Sequence, residues 1–100
     1  EGAIVTNPPY SRAEEFIRTA LKLVTEGNLV CMFLPIRYLE GKARRRLFSE
    51  FPMKTVYVSS SRIPCAMNGN FDYMDGSAAS YGWFVWEKGY TGETVLKWFN

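Results

Sequence analysis

The 100-residue sequence contains no histidine, so it lacks the side chain that most often acts as a base near neutral pH. Its two cysteines, Cys31 and Cys65, lie in apolar or loop surroundings and are not spaced as C-x-x-C. Zinc sites are built mainly from these two residue types. We therefore expect no protein-bound metal and no chemistry that needs a histidine base.

Long apolar runs and a secretion signal are also absent, because no run reaches the roughly 18 residues of a membrane span. Hydrophobic residues make up 47% of the chain and aromatic residues 16%, enough for one small domain with a modest core. We expect a cytoplasmic protein with no membrane segment. Because the chain begins at Glu1 and not at methionine, we also expect it to be a piece of something longer.

Charge of one sign is not in large excess, since the net charge is +2. Its distribution is more informative. Five cations fall within ten residues, namely Arg37, Lys42, Arg44, Arg45 and Arg46. Such a cluster suits phosphate contacts, and a solvated helix face is the alternative interpretation.

The most specific pattern is Asn7-Pro8-Pro9-Tyr10, which directly follows a short β-rich run at 4–6. Two prolines cannot donate to a sheet ladder and they fix φ, so the strand ends in a stiff turn. Such a turn can hold a carbonyl acceptor, an amide and an aromatic ring in fixed directions. Taken alone, the four residues also fit an ordinary polar turn.

Periodicity predicts the remaining elements. Ser11 and Glu14 have the spacing of a capping box at the start of a helix over about 12–25, and Gly27 has the position of a helix end. An apolar run at 29–34 is typical of a strand covered on both faces. We further predict a helix over 38–51 that is firm after Gly41, strands at 54–59 and 81–86, and a long loop at 60–80; the tail at 90–100 fits a strand or a helical turn.

Asn-Pro-Pro-Tyr after a hydrophobic strand resembles the catalytic motif of amino-methyltransferases that use S-adenosylmethionine, above all DNA methyltransferases acting on the N6 amine of adenine. Residues 34–41, 62–64 and 81–90 also resemble later segments of the phage-type and restriction-type enzymes. Whether a phage or a restriction-modification system is the source stays open.

The resemblance implies an α/β fold, the C-terminal half of a Rossmann-like methyltransferase sheet, with parallel strands and a final antiparallel strand. Residues 1–100 would form a single partial catalytic domain, namely the half that binds the methyl acceptor. The family binds S-adenosylmethionine through a glycine-rich turn and an acidic residue before this motif, and no G-x-G occurs here. The main cofactor-binding motif is therefore missing, and we expect this chain alone to be inactive.

By the same resemblance, the Asn7 side chain and the Pro8 carbonyl accept hydrogen bonds from the target amine and lie beside the methyl donor, while Tyr10 stacks under a flipped base. Pro9 belongs to the substrate side as a rigid spacer. Arg62 is a candidate phosphate contact or a plain surface arginine. Phe71 is a candidate second face of a base sandwich or packs on the core.

Three functions stay open: an adenine-specific DNA methyltransferase, a protein glutamine methyltransferase, and an inactive remnant that only binds a partner. The basic cluster favours DNA as the partner. In the complete family fold the motif strand is interior. In this chain Ile4 and Val5 would lie at an unpaired sheet edge, which predicts a homodimer through that edge.

Overall fold

A computed structural model describes residues 2–59 and 80–99. The strands are β1 Ile4–Thr6, β2 Leu29–Pro35, β3 Thr55–Ser59, β4 Tyr81–Glu87 and β5 Val95–Phe99. The helices are α1 Ala13–Leu23 and α2 Lys42–Glu50, and two 3-10 turns cover Tyr10–Arg12 and Ile36–Leu39. The predicted α/β class is confirmed.

The five strands form one sheet in the order β1-β2-β4-β3-β5. β1 runs parallel to β2 and β3 runs parallel to β5, while β4 is antiparallel to both of its neighbours. The antiparallel strand is therefore interior. The expectation that it would be the final strand is wrong, because the tail forms β5 and pairs with β3 in the register Thr55↔Val95. Backbone bonding starts this pairing, since the Val95 N–H donates to the Lys54 carbonyl at 3.0 Å.

Helix α1 buries one apolar stripe, which includes Ile17 and Leu21, against the sheet. The predicted capping box does not form, because Ser11 lies inside the 3-10 turn and no side chain caps the helix. The stiff proline turn leads directly into that 3-10 turn, where the Arg12 N–H donates to the Pro9 carbonyl at 3.0 Å. Gly27 has a φ of 85° in the turn after the helix, a conformation that favours glycine.

The core lies where both helices pack on alternate residues of the central strands. Val30, Met32 and Phe84 are each 0% exposed, and Trp86 is 1% exposed. The Trp86 indole N–H donates to the Phe51 carbonyl at 2.9 Å, which satisfies the polar atom of this buried ring.

The helix predicted over 38–51 is split in two. A 3-10 turn at Ile36–Leu39 precedes Gly41, whose φ is 104°, and the regular helix begins at Lys42. A side chain is strained at that φ, so glycine permits the break. The prediction that the firm part follows Gly41 is confirmed. Within the 3-10 turn, Tyr38 is buried and Arg37 is exposed.

Candidate functional site

The carboxyl ends of three strands, which we call the carboxyl edge of the sheet, bring together turns that are distant in sequence. Because β1 and β2 are parallel, their carboxyl ends, at Thr6 and Pro35, lie at the same edge. β3 ends at this edge as well, since β4 is antiparallel to both β2 and β3. The Ile36 N–H donates to the Ser80 carbonyl at 2.8 Å and ties the turn after β2 to the start of β4. In open α/β sheets, ligands bind outside such carboxyl ends.

The 7–10 turn contains two hydrogen-bond acceptors without a partner in the described ranges. Pro8 is buried, whereas Asn7 and Pro9 are exposed. Within residues 2–59 and 80–99, neither the Asn7 side chain nor the Pro8 carbonyl has a hydrogen-bond partner. Pro9 is extended, with φ −57° and ψ 132°, and its own carbonyl is used by the following turn. Two acceptors in this stiff turn thus form no hydrogen bond within the described ranges.

The Tyr10 ring is held from below by a buried aromatic side chain. Tyr10 is 37% exposed, and its ring meets the ring of Tyr38 edge-on with centroids 5.6 Å apart. Tyr38 is 1% exposed and packs in turn against Phe84 at 6.2 Å and Phe48 at 6.3 Å. The orientation of Tyr10 is therefore set by the core.

Two arginines lie beside this pair of rings. The Arg37 guanidinium carbon is 5.4 Å from the Tyr10 ring centroid, and the Arg44 carbon is 5.9 Å from the same centroid. Arg44 also lies 4.1 Å from the centroid of the Tyr38 ring. These are cation–π distances. Neither arginine forms a salt bridge with any side chain in the described part of the chain.

Two buried polar atoms of this group have no hydrogen-bond partner in the described ranges, the Tyr38 hydroxyl and Arg44 Nε. Burial raises the pKa of the Tyr38 phenol, and the neighbouring Arg44 opposes that shift. Tyr38 is therefore a neutral hydroxyl near pH 7. No sequence pattern marks Tyr38 as a site residue; its one distinguishing sequence feature is its position next to Arg37 after an apolar strand.

The predicted site residues divide into two groups. Asn7, Pro8, Pro9 and Tyr10 lie at the carboxyl edge as one turn, and their roles stay predictions. Arg62 and Phe71, like Cys65, lie outside the described residues. The remaining members of the basic cluster are exposed on α2 and, in the part of the chain that the structure describes, form no ion pair; they are Lys42, Arg45 and Arg46.

Other chemistry is sparse in residues 2–59 and 80–99. No group of three or more histidine, cysteine, aspartate or glutamate side chains is arranged there to hold a metal ion. Burial raises the pKa of the Cys31 thiol, which disfavours the reactive thiolate. None of the helices in these ranges has the length and apolar character needed to cross a membrane.

No protein-family model and no curated protein matches the chain. Among solved structures, the crystal structure of the M1.HpyAVI–SAM complex is similar to it, with 16% sequence identity and a TM-score of 0.47. The similarity covers 96% of this chain and 55% of that one. The chain thus spans about half the length of the solved protein.

Proposed function

We propose that this chain carries the methyl-acceptor side of an S-adenosylmethionine-dependent DNA methyltransferase that acts on the exocyclic amine of adenine. The observation that supports the proposal is the 7–10 turn. Its two uncommitted acceptors, on Asn7 and Pro8, lie beside the half-exposed ring of Tyr10 at the carboxyl edge of the sheet.

The chemistry follows from the target. The amine of adenine is a poor nucleophile because its lone pair is delocalised into the ring. If the Asn7 amide oxygen and the Pro8 carbonyl each accept one N–H, the nitrogen is biased toward a tetrahedral geometry and its lone pair is directed outward. Positioning and preorganised dipoles supply the rate enhancement, without a base of matched pKa.

S-adenosylmethionine, when bound, supplies a methyl group on a positively charged sulfur. The residues of this chain fit the methyl end of such a donor, since Asn7 is exposed and its amide is uncommitted within the described ranges. They offer no glycine-rich turn for the nucleoside part of S-adenosylmethionine. We infer that the chain holds the acceptor base and that the nucleoside is bound by residues outside this sequence.

Nucleic acid is favoured over a glutamine peptide by the charges around the turn. Arg37 and Arg44 flank Tyr10, and neither is neutralised by a carboxylate in the part of the chain that the structure describes. A DNA strand carries phosphates on both sides of a flipped base, whereas a glutamine peptide has no such charge pattern.

Binding can be tested with an oligonucleotide that carries 2-aminopurine at a mismatched position, because the fluorescence of this base rises when it leaves the stack. We expect a rise with the natural chain and a smaller one with Tyr10→Ala, which removes the stacking face. Asn28→Ala is the matched control, since Asn28 bonds to Thr25 Oγ1 at the other end of the sheet.

Transfer can be tested with radiolabelled S-adenosylmethionine, using this chain and the longest natural protein that contains it. We expect Asn7→Ala to abolish methylation of adenine in DNA while DNA binding persists. Methylation of a glutamine peptide in place of DNA would favour the second enzyme class. No transfer by the longer protein together with no 2-aminopurine response would contradict the proposal, whereas binding without transfer by the longer protein would favour an inactive remnant.

A further inference from the structure

Two guanidinium groups converge on one aromatic ring from separate elements. Arg37 comes from the 3-10 turn after β2, and Arg44 comes from the first turn of α2. Both lie within 6 Å of the Tyr10 ring centroid, at 5.4 Å and 5.9 Å. Like charges brought together repel, and an anion bound beside both groups would offset that repulsion.

Four carboxylates in the described ranges are engaged with other cations, whereas Glu26, Glu40 and Glu93 form no salt bridge there. Glu14 and Glu50 pair with Arg18, Glu15 pairs with Arg12, and Glu87 pairs with Lys54. Arg37 and Arg44 have no such partner in residues 2–59 and 80–99. Lys42, Arg45 and Arg46 are also unpaired there, and Arg37 and Arg44 differ from them in that both lie against the Tyr10 ring.

Two buried polar atoms of these side chains are a further observation at the same place. Arg44 Nε and the Tyr38 hydroxyl are both buried, and neither has a hydrogen-bond partner in the described part of the chain. Tyr38 is 1% exposed, so water does not satisfy its hydroxyl at the surface. The Nε–H and one terminal N–H of a guanidinium form the fork that binds phosphate oxygens in pairs. Native structures leave few buried polar groups unpaired, and each one needs a reason.

The start of α2 adds a weaker positive electrostatic contribution to that of the two arginines. Gly41 precedes the helix and supplies no side-chain hydrogen bond to its first turn. The free N–H groups and the positive end of the helix dipole therefore lie close to Arg44 in the sequence.

We propose that Arg37 and Arg44, with Tyr38 as the ring that positions Arg44, form a binding site for one phosphodiester group beside Tyr10. The site deepens the proposed function, on which its assignment to nucleic acid rests. In that setting it holds the backbone next to the flipped base and fixes the base over Tyr10. Free inorganic phosphate offers the same chemistry and is the other source to be tested.

The first test measures binding of a fluorescein-labelled single-stranded oligonucleotide by anisotropy over a range of salt concentrations. For single strands the slope of log K against log salt changes by about 0.7 for each phosphate that the protein no longer neutralises. Because both arginines hold the same phosphate, we expect the double variant Arg37→Gln/Arg44→Gln to reduce the magnitude of the slope by about 0.7 and each single variant to reduce it by less. Lys22→Gln is the matched control, since it removes one exposed cation at the far end of α1 and leaves the slope unchanged.

The second test follows the Nε–H resonances of the arginines by NMR while the same oligonucleotide is added. We expect the Arg44 and Arg37 signals to shift together and the Arg18 signal, already held by Glu14 and Glu50, to stay in place. Arginine variants that match Lys22→Gln, or an Arg44 signal that does not move, would overturn the proposal.

Further measurements separate free phosphate from nucleic acid as the ligand, and the phosphate site from the proposed function. Titration with inorganic phosphate alone should shift the Arg44 signal only at concentrations far above those of the oligonucleotide; equal potency would assign the site to free phosphate. A strand with an abasic target position should keep its dependence on Arg37 and Arg44. If that dependence holds but no adenine is methylated, the phosphate site stands and the proposed function fails. If Asn7 proves essential for transfer while the arginine variants bind normally, the reverse is true.

Discussion

Gly82 lies at the point where β4 passes between the backbone of β3 and the turn that carries Arg37 and Tyr38. A Cβ atom at this position would be 2.5 Å from the Tyr57 carbonyl oxygen and 2.9 Å from Ile36 Cδ1. The carbonyl belongs to the backbone of an interior ladder and cannot move freely. Gly82→Ala is therefore expected to push the sheet and the turn apart.

The expected size of the effect comes from two opposing terms. An alanine in place of glycine in a strand normally stabilises a protein by about 0.4–1 kcal/mol through the unfolded chain. Overpacking of a well-packed site costs about 1–3 kcal/mol. The clash at Gly82 involves backbone, so we expect the second term to exceed the first, with a net loss of about 1–2 kcal/mol. For a domain near 100 residues this lowers Tm by roughly 4–8 °C per kcal/mol.

Thermal and urea unfolding followed by circular dichroism measure this loss. Gly2→Ala is the matched control, because a Cβ there meets nothing within 4 Å, and we expect a change of about 0.5 kcal/mol or less. The Ile36 N–H bonds to the Ser80 carbonyl, so Gly82→Ala should also shift the arginine Nε–H resonance of Arg37. A Gly82→Ala protein as stable as Gly2→Ala would refute the reasoning.

Three further perturbations test other parts of the structure. Trp86→Phe leaves the Phe51 carbonyl unpaired and a space in the core, so we expect a loss of about 2–4 kcal/mol in urea unfolding; a loss below about 1 kcal/mol would contradict the role of this bond. Tyr38→Phe should be neutral or stabilising near pH 7. Burial raises the folded-state pKa of Tyr38 above the unfolded value of about 10, so the contribution of the neutral phenol to stability is intact below about pH 10 and is lost as pH rises through the folded-state pKa. The natural chain should therefore lose more stability at alkaline pH than Tyr38→Phe. Parallel plots of unfolding free energy against pH for the two proteins would argue against this. Val5, 62% exposed on β1, should support self-association that Val5→Lys abolishes, and sedimentation of the natural chain as a monomer at high concentration would exclude it.

Most of the element order could be predicted from the sequence, because each element there follows a local pattern. The apolar run that forms β2 and the stripe of α1 depend on residues a few positions apart. The break at Gly41 was also predictable, since it follows from one residue type.

The parts that could not be predicted depend on backbone pairing or on distant contacts. Strand β5 has weak burial, with Leu96 51% and Trp98 64% exposed, so no pattern of buried residues marks it as a strand. Its position is decided by hydrogen bonds such as that from Thr94 Oγ1 to the Met53 carbonyl at 2.8 Å. The capping box failed because the rigid turn before it imposed a 3-10 geometry, which the spacing of Ser11 and Glu14 does not reveal.

The candidate site also has one part that could be predicted from the sequence and one part that could not. The 7–10 turn is a local motif, and its place after a strand follows directly from the sequence. The contact of Tyr10 with Tyr38 and Arg44 requires β1 and β2 to lie parallel and in the register Ile4↔Val30, which brings the turns that follow them together. No spacing within a single segment encodes that contact.

The atoms that fix the site residues in position are not the atoms that would bind or react with a ligand. Pro8 is buried while its carbonyl stays unbonded within the described ranges, and Tyr10 is fixed by the buried Tyr38 while 37% of its surface stays exposed. Packing thus fixes the positions, and hydrogen bonding is left for a ligand. A group whose orientation came from its own hydrogen bonds would have to break them before binding, which would weaken its preorganisation. For this reason we expect substitutions in the supporting layer, such as Gly82→Ala, to reduce function through misplacement, whereas Asn7→Ala should remove it with the fold intact.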